Sequence, residues 1–150
     1  MVRRSPARQS ELVGRRRDAN GNGRGRRREV SLDDKYVLEH GRILLTGVQA
    51  LVRLVLDQHR ADLRRGLTTG TLVSGYQGSP LGGLDIELAR NRRLLDAHLV
   101  AHVPALNEEI GATSAWGSQL TQHLPGAKYD GVLGMWYGKA PGLDRAADAL

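Results

Sequence analysis

The sequence contains no cysteine and no phenylalanine, and only three of its 22 basic side chains are lysine. Without cysteine this stretch can form no disulfide, no thiolate zinc site and no thiolate-held iron–sulfur cluster, so any redox centre must lie elsewhere. No apolar run approaches the roughly 20 residues of a membrane span, and the N-terminus lacks the apolar core of a secretory signal. The chain therefore reads as cytoplasmic. The excess of arginine over lysine, together with the missing phenylalanine, is the bias of a GC-rich gene more than of a binding role.

The charge that is present lies unevenly. A formal net charge of +6 and a pI near 10.3 suggest a nucleic-acid binder. However, residues 1–30 hold ten arginines against Glu11, Asp18 and Glu29, and residues 31–150 carry 12 basic and 13 acidic groups. The part that can fold is nearly neutral, so the overall pI says nothing about its partner. Residues 1–30 contain almost nothing apolar and cannot bury enough surface to offset ordering entropy; a disordered Arg/Gly-rich extension is expected. Its GNGRG run follows no strand and opens no apolar helix, so it fails as a dinucleotide loop. An arginine arm on nucleic-acid phosphates is the alternative, disfavoured because no aromatic residue interleaves the arginines.

At 150 residues and 40% hydrophobic, one domain core is expected. The stretch LVSGYQGSPLGGLDIEL, from Leu72 to Leu88, organises it: an apolar run breaks into a glycine-rich turn and resumes at helical spacing. Gly75, Gly78, Gly82 and Gly83 allow sharp turning and close approach, and Ser79 and Pro80 sit where a helix would begin. Before it, Val48, Leu51, Val52, Val55 and Leu56 recur at three and four, one face of a helix that ends at Gly66. His59 falls on the polar side of that helix and is expected to be solvated. Thr71 to Val73 reads as a short strand, and a single helix is expected from Pro80 to about Ala97. Leu99 to Val103 reads as a second strand, with Pro104 to Asn107 as its exit turn.

The next helix is expected from Asn107 to His123, with Ile110, Trp116 and Leu120 in the core. Asn107 is a good N-cap, and Glu108 and Glu109 stand in the first turn, where the helix dipole favours anions. Gly111, Ala112, Ser114 and Ala115 suit close approach of another backbone or a ring. Val132 to Tyr137 reads as a third strand, followed by a Gly138–Leu143 loop and a helix from Asp144. Three strand-to-loop junctions, at Gly75, Pro104 and Gly138, each leading into a helix, predict right-handed βαβ units whose loops converge at one edge of a parallel sheet. Gly138-Lys139 is not a P-loop, because Leu133 replaces its first glycine and Ala140 its Ser/Thr.

Four segments in one order carry a resemblance: SLDDKYVLEHGRILLTGVQALVRL, SGYQGSPLGGLD, LNEEIGATSAWGSQ and PGAKYDGVLGMWYGKAPGLDRAAD. With them, residues 31–150 resemble the N-terminal part of the indolepyruvate ferredoxin oxidoreductase family, thiamine-diphosphate-dependent 2-oxoacid:ferredoxin oxidoreductases. The resemblance implies an α/β, three-layer Rossmann-like parallel sheet of the pyrimidine-binding type. It also implies oxidative decarboxylation of an aryl 2-oxoacid such as indolepyruvate, with ferredoxin as electron acceptor and CoA as acyl acceptor. In that family a glutamate hydrogen-bonds N1′ of the cofactor's aminopyrimidine and favours the imino tautomer that deprotonates the thiazolium; Glu108 occupies its position. Glu109, about 100° further round a helix, is expected to point elsewhere.

The resemblance further places Gly78, Ser79, Pro80, Asn107, Gly138 and Gly142 beside the cofactor. Ser79 and Lys139 would face the substrate. It puts Mg and the diphosphate ligands outside this chain, with no metal ligand in it, and 4Fe–4S clusters only in the full-length enzyme. The complete enzyme is expected to be a dimer or multi-subunit assembly. The chain reads as a C-terminally truncated, partial domain, inactive alone. A non-catalytic α/β remnant stands as a further alternative.

Overall fold

The structure is a computed structural model that describes residues 29–78 and 81–150; the proposed N-terminal arm, except its last two residues, and the candidates Ser79 and Pro80 lie outside the described residues. Ser31–Leu150 form one compact unit. It opens with a short helix, α1 (Asp34–Val37), and a long one, α2 (Gly47–Arg64). Thr46 starts α2 through a capping box: its hydroxyl accepts from the Gln49 N–H at 3.2 Å, and the Gln49 side chain accepts from the Thr46 N–H at 3.0 Å. From α2, Arg53 donates to the carbonyls of Lys35 and Leu38, and Arg60 to that of Tyr36, which pins α1 in place.

Strand β1 (Thr69–Tyr76) follows, then α3 (Leu84–Arg90), α4 (Arg92–Ala97), β2 (Val100–Ala105), α5 (Glu108–Ser118), β3 (Gly131–Tyr137) and α6 (Ala140–Ala146). The sheet has order β2-β1-β3, with β1 paired in parallel to both neighbours: Val73 lies opposite His102 on one side and Met135 on the other. The α/β class and the parallel, open sheet agree with the sequence, and the arrangement is compatible with a Rossmann-like fold. Val52, Val55 and Leu56 of α2, Leu84 and Leu88 of α3 and Leu95 of α4 bury against Val73, Val100 and Tyr137. Helix α5 covers the opposite face, where Gly111 sits so close to Gly75 that a Cβ on it would lie 3.3 Å from the Gly75 Cα.

Several local expectations are corrected. The single helix to Ala97 is two, because the Asn91 side chain donates to the Glu87 carbonyl at 2.8 Å and competes with the backbone ladder. Leu99 is no strand residue; it leaves α4 with φ 56, and β2 begins at Val100. Pro104 belongs to β2 rather than to its exit turn, which is permitted because β2 is an edge strand and needs no outward N–H. Strand β1 is longer than Thr71 to Val73.

Helix α5 stops at Ser118, and a separate 3₁₀ turn spans Thr121–His123. Ile110, Trp116 and Leu120 are exposed, and Gly111, Ala112, Ala115 and Ser118 are buried in their place. The small residues win the sheet-facing side because the strands beneath leave no room for large ones. Helix α6 begins at Ala140, with Pro141 in its first turn where a missing N–H costs nothing, rather than at Asp144. His59 is 5% exposed rather than solvated, with Nδ1 3.2 Å from the Thr69 carbonyl oxygen. Among the described residues no helix is long and apolar enough to cross a membrane.

Candidate active site at the carboxyl edge of the sheet

With all three strands parallel, Tyr76, Ala105 and Tyr137 end at the same edge. From β1 the chain enters α3, which shares the core with α2; from β3 it enters α6, which packs on α5. The chain thus leaves these adjacent strands toward opposite faces, and such a switch point is where open α/β sheets hold ligands.

Asn107 begins α5 as its N-cap, and its Oδ1 accepts from the Ile110 N–H at 2.8 Å. The cap fixes the first turn and therefore the direction of Glu108. Glu108 is only 9% exposed, and no described group hydrogen-bonds its carboxylate. Its backbone carbonyl accepts from the Trp136 indole N–H of β3 at 3.2 Å. Gly142 of α6 backs its side chain: a Cβ there would stand 2.6 Å from Glu108 Cγ. Glu109 points away and meets Arg145 at 3.4 Å near the surface. One of two consecutive glutamates is thus largely buried, with no ion pair among the described residues, and the other is exposed and paired.

The remaining candidates are placed as follows. Gly138 lies under the Trp136 ring, 2.6 Å from where its Cβ would be, so Gly138 and Gly142 leave room for side chains of this same chain. Gly78 is exposed in the turn after β1, with Tyr76 filling its Cβ position. Lys139 is exposed at the N-cap of α6, and its carbonyl accepts from the N–H groups of Gly142 and Leu143. Asn107, Glu108 and Gly142 are brought together by α5 and α6, and Gly138 joins them through Trp136. Gly78 belongs to the β1 loop.

Sequence reasoning missed a second polar group at this edge. The Tyr137 ring crosses β1 above Gly75, where a Cβ would lie 2.6 Å from the ring and 2.5 Å from the Tyr137 carbonyl oxygen. Its hydroxyl reaches His102 Nε2 at 3.1 Å. Asp85, in the first turn of α3, is 9% exposed, and its Oδ1 is fully enclosed with no hydrogen-bond partner among the described residues. Burial pushes the Tyr137 hydroxyl up to about 12, with the Asp85 charge acting in the same direction. Burial holds His102 below its ordinary value, and the Asp85 charge opposes that shift. The one available signal was the alternation in β2 and β3 that points His102 and Tyr137 to the same face.

A groove of about 400 Å³ lined by Thr46, Gln49, Gly82, Gly83, Glu87 and Arg90 runs between α2 and α3, apart from Glu108. No group of three or more histidine or acidic side chains among the described residues is arranged to hold a metal ion. No family model matches this chain, and neither a curated protein nor a solved structure matches it.

Proposed function

We propose that residues 31–150 form part of a pyrimidine-binding domain, a three-layer Rossmann-like fold, of a thiamine-diphosphate-dependent 2-oxoacid:ferredoxin oxidoreductase. The substrate would be an aryl 2-oxoacid such as indolepyruvate, with CoA and ferredoxin as acyl and electron acceptors. The observation that carries this reading is Glu108: a largely buried residue whose carboxylate has no partner among the described residues, held at the switch-point edge by Asn107, Trp136 and Gly142. A largely buried carboxylate without a partner is costly unless water or a ligand completes it. When bound, the cofactor supplies a carbon nucleophile for the carbonyl of the oxoacid.

The tasks of this chain are to hold and orient. Glu108 would hold a proton toward the ring nitrogen N1′ of the bound cofactor. Asn107 sets the helix start that aims it, and the Trp136 N–H keeps that first turn against β3. Lys139, exposed at the third loop, would offer a positive charge to the substrate carboxylate, and Gly78 of the β1 loop would stand on the cofactor side. Mg, the diphosphate ligands and the iron–sulfur clusters belong to other parts of the complete, cytoplasmic, oligomeric enzyme.

The test is exchange of the cofactor's C2 proton in the holoenzyme that carries this chain. Glu108→Gln keeps size and capping geometry but cannot stabilise protonation at N1′, so exchange is expected to slow by the ~10²–10⁴-fold typical of a positioned acid–base group. Glu109→Gln should leave exchange nearly unchanged. Equal rates in the two variants would reduce Glu108 to a first-turn anion at a helix start.

A further inference from the structure

Arg90, Arg92 and Arg93 are exposed and stand on either side of the helix break at Asn91. In one unbroken helix successive residues turn by about 100°, so Arg90 and Arg92 would point to nearly opposite sides. The break removes that divergence: all three arginines line a single groove of about 810 Å³ between α1 and the α3–α4 pair, with Val37, Ala89 and Leu94 as its apolar surface. That volume lies within the ~300–1,000 Å³ of small-molecule sites. None of the three guanidinium groups has a hydrogen-bond acceptor among the described residues. Glu87 stands 4.0 Å from Arg90 and Asp96 3.8 Å from Arg92, and Arg93 has no ion pair among the described residues. Glu87 is moreover engaged elsewhere, its Oε1 accepting from the Tyr36 hydroxyl at 2.5 Å and the Asn91 amide at 3.2 Å. Arg53 and Arg60 of α2 differ: their N–H groups are directed to Asp57 and to the carbonyls of Lys35, Tyr36 and Leu38. Those two arginines build the fold, whereas the groove arginines leave their donors open.

We infer that this groove binds a small organic phosphate, its phosphate on the arginines and its carbon body on the apolar surface. Three features select that class. The open guanidinium donors ask for an oxyanion. Asp33 and Asp96 also line the groove, so its overall charge is small and an incoming anion must outcompete neighbouring carboxylates. A phosphate monoester, close to doubly charged at neutral pH, does so better than a singly charged carboxylate. The apolar surface then favours an organic ester over inorganic phosphate. No residue of α5 or α6 lines the groove, so the inference stands independently of the thiamine reading.

The probe is phenyl phosphate, titrated into the isotope-labelled 150-residue chain and followed by NMR at the amides of residues 89–94 and the Nε–H groups of Arg90, Arg92 and Arg93. Saturable shifts at these positions are expected, with weaker binding of inorganic phosphate and little response to benzoate. Arg93→Gln breaks no hydrogen bond or ion pair among the described residues and should weaken binding by about 3–10-fold. Arg65→Gln removes an equal charge from an exposed position outside the groove and should leave binding unchanged. Glu108→Gln should leave it unchanged as well, which separates this result from the fate of the thiamine proposal. The absence of a saturable shift, shifts confined to residues 1–30, or a response to benzoate equal to that to phenyl phosphate would each overturn the inference. So would inorganic phosphate binding as tightly as phenyl phosphate, or equal losses in the Arg93 and Arg65 variants, which would reduce the groove to unspecific surface charge.

Discussion

On the face carrying α2, α3 and α4, the sheet is covered by Val52, Val55, Leu56, Leu84, Leu88 and Leu95, all at most 1% exposed. On the face carrying α5, the helix meets the strands through Gly111, Ala112, Ala115 and Ser118, over Gly75 and Gly134. The first face gains its stability from apolar area removed from water, at about 25 cal/mol per Å². The second gains little area per residue and achieves close backbone approach instead: a Cβ at Gly134 would be 2.9 Å from the Ala115 carbonyl oxygen. The two designs have different tolerances. Large side chains can repack after a change of shape, whereas a helix lying on bare backbone cannot absorb an added methyl without moving. Glu108 and its supports lie on the second kind of face, so the group whose position matters most is carried by the least adjustable contact.

The comparison is tested first where the effect is largest. Leu56→Ala empties a fully buried position in the α2–α4 core and should cost about 2–5 kcal/mol, read as a lower midpoint of urea unfolding at unchanged slope. It should leave the geometry at Glu108 intact. On the other face the damaging change is an addition. Gly134→Ala forces its new methyl against Ala115 and Gln119 and should cost about 1–3 kcal/mol. Displaced α5 amide resonances, Glu108 among them, should accompany that loss. If Gly134→Ala were neutral and α5 unmoved, the two faces would not differ as described.

A smaller effect of opposite sign sharpens the contrast within α5 itself. Gly117 lies in the same helix, but nothing stands within 4 Å of a Cβ placed there. Gly117→Ala should therefore stabilise by roughly 0.5–1 kcal/mol, the ordinary gain from replacing a helical glycine. A loss at Gly117 like that at Gly134 would mean that glycine content, not contact with the sheet, governs the helix.

The difference between the faces also explains what was legible in the sequence. The α2–α4 side announces itself by period: Val48 to Leu56 at three and four gave α2, and the apolar run into Gly75 gave β1 and its loop. The cap at Asn107 and the divergence of Glu108 from Glu109 followed from helix geometry alone. On the α5 side the same period rule pointed the wrong way. It placed Ile110, Trp116 and Leu120 inside, because hydrophobicity scales reward size and cannot register that the facing strands carry glycines. Trp136 and Gly142 as supports of Glu108, and the His102–Tyr137 pair, depend on contacts between segments far apart in the chain. No local pattern encodes these. The helix break at Asn91 was missed for a subtler reason: one side-chain amide overrode an otherwise continuous helical stretch.

The last and smallest expectation concerns pH, and it belongs to the large-side-chain face. His98 is held below its ordinary value of 6.5, chiefly by burial, against a hydrogen bond from its Nδ1 to the Leu94 carbonyl at 2.8 Å; His102 is lowered by burial as well. In the unfolded chain both imidazoles take up a proton near pH 6.5, whereas in the fold they do so only at lower pH. Between those values the unfolded state binds more protons, so stability rises with pH. Their contribution is complete above about pH 6.5 and declines as the pH is lowered through that value. It stops falling once the folded imidazoles are themselves protonated. Asp62, lowered chiefly by the Thr69 hydroxyl it accepts from at 2.7 Å and then by Gln58, acts further down: its share is present above the ordinary carboxylate value and lost as pH falls toward its folded value. NMR titration should give midpoints below 6.5 for both histidines, and the melting temperature should fall from pH 7.5 to 5.5. His98→Gln should flatten part of that fall. Midpoints at or above 6.5 would show that these rings are solvated, and would remove the α2–α4 side as the source of acid sensitivity.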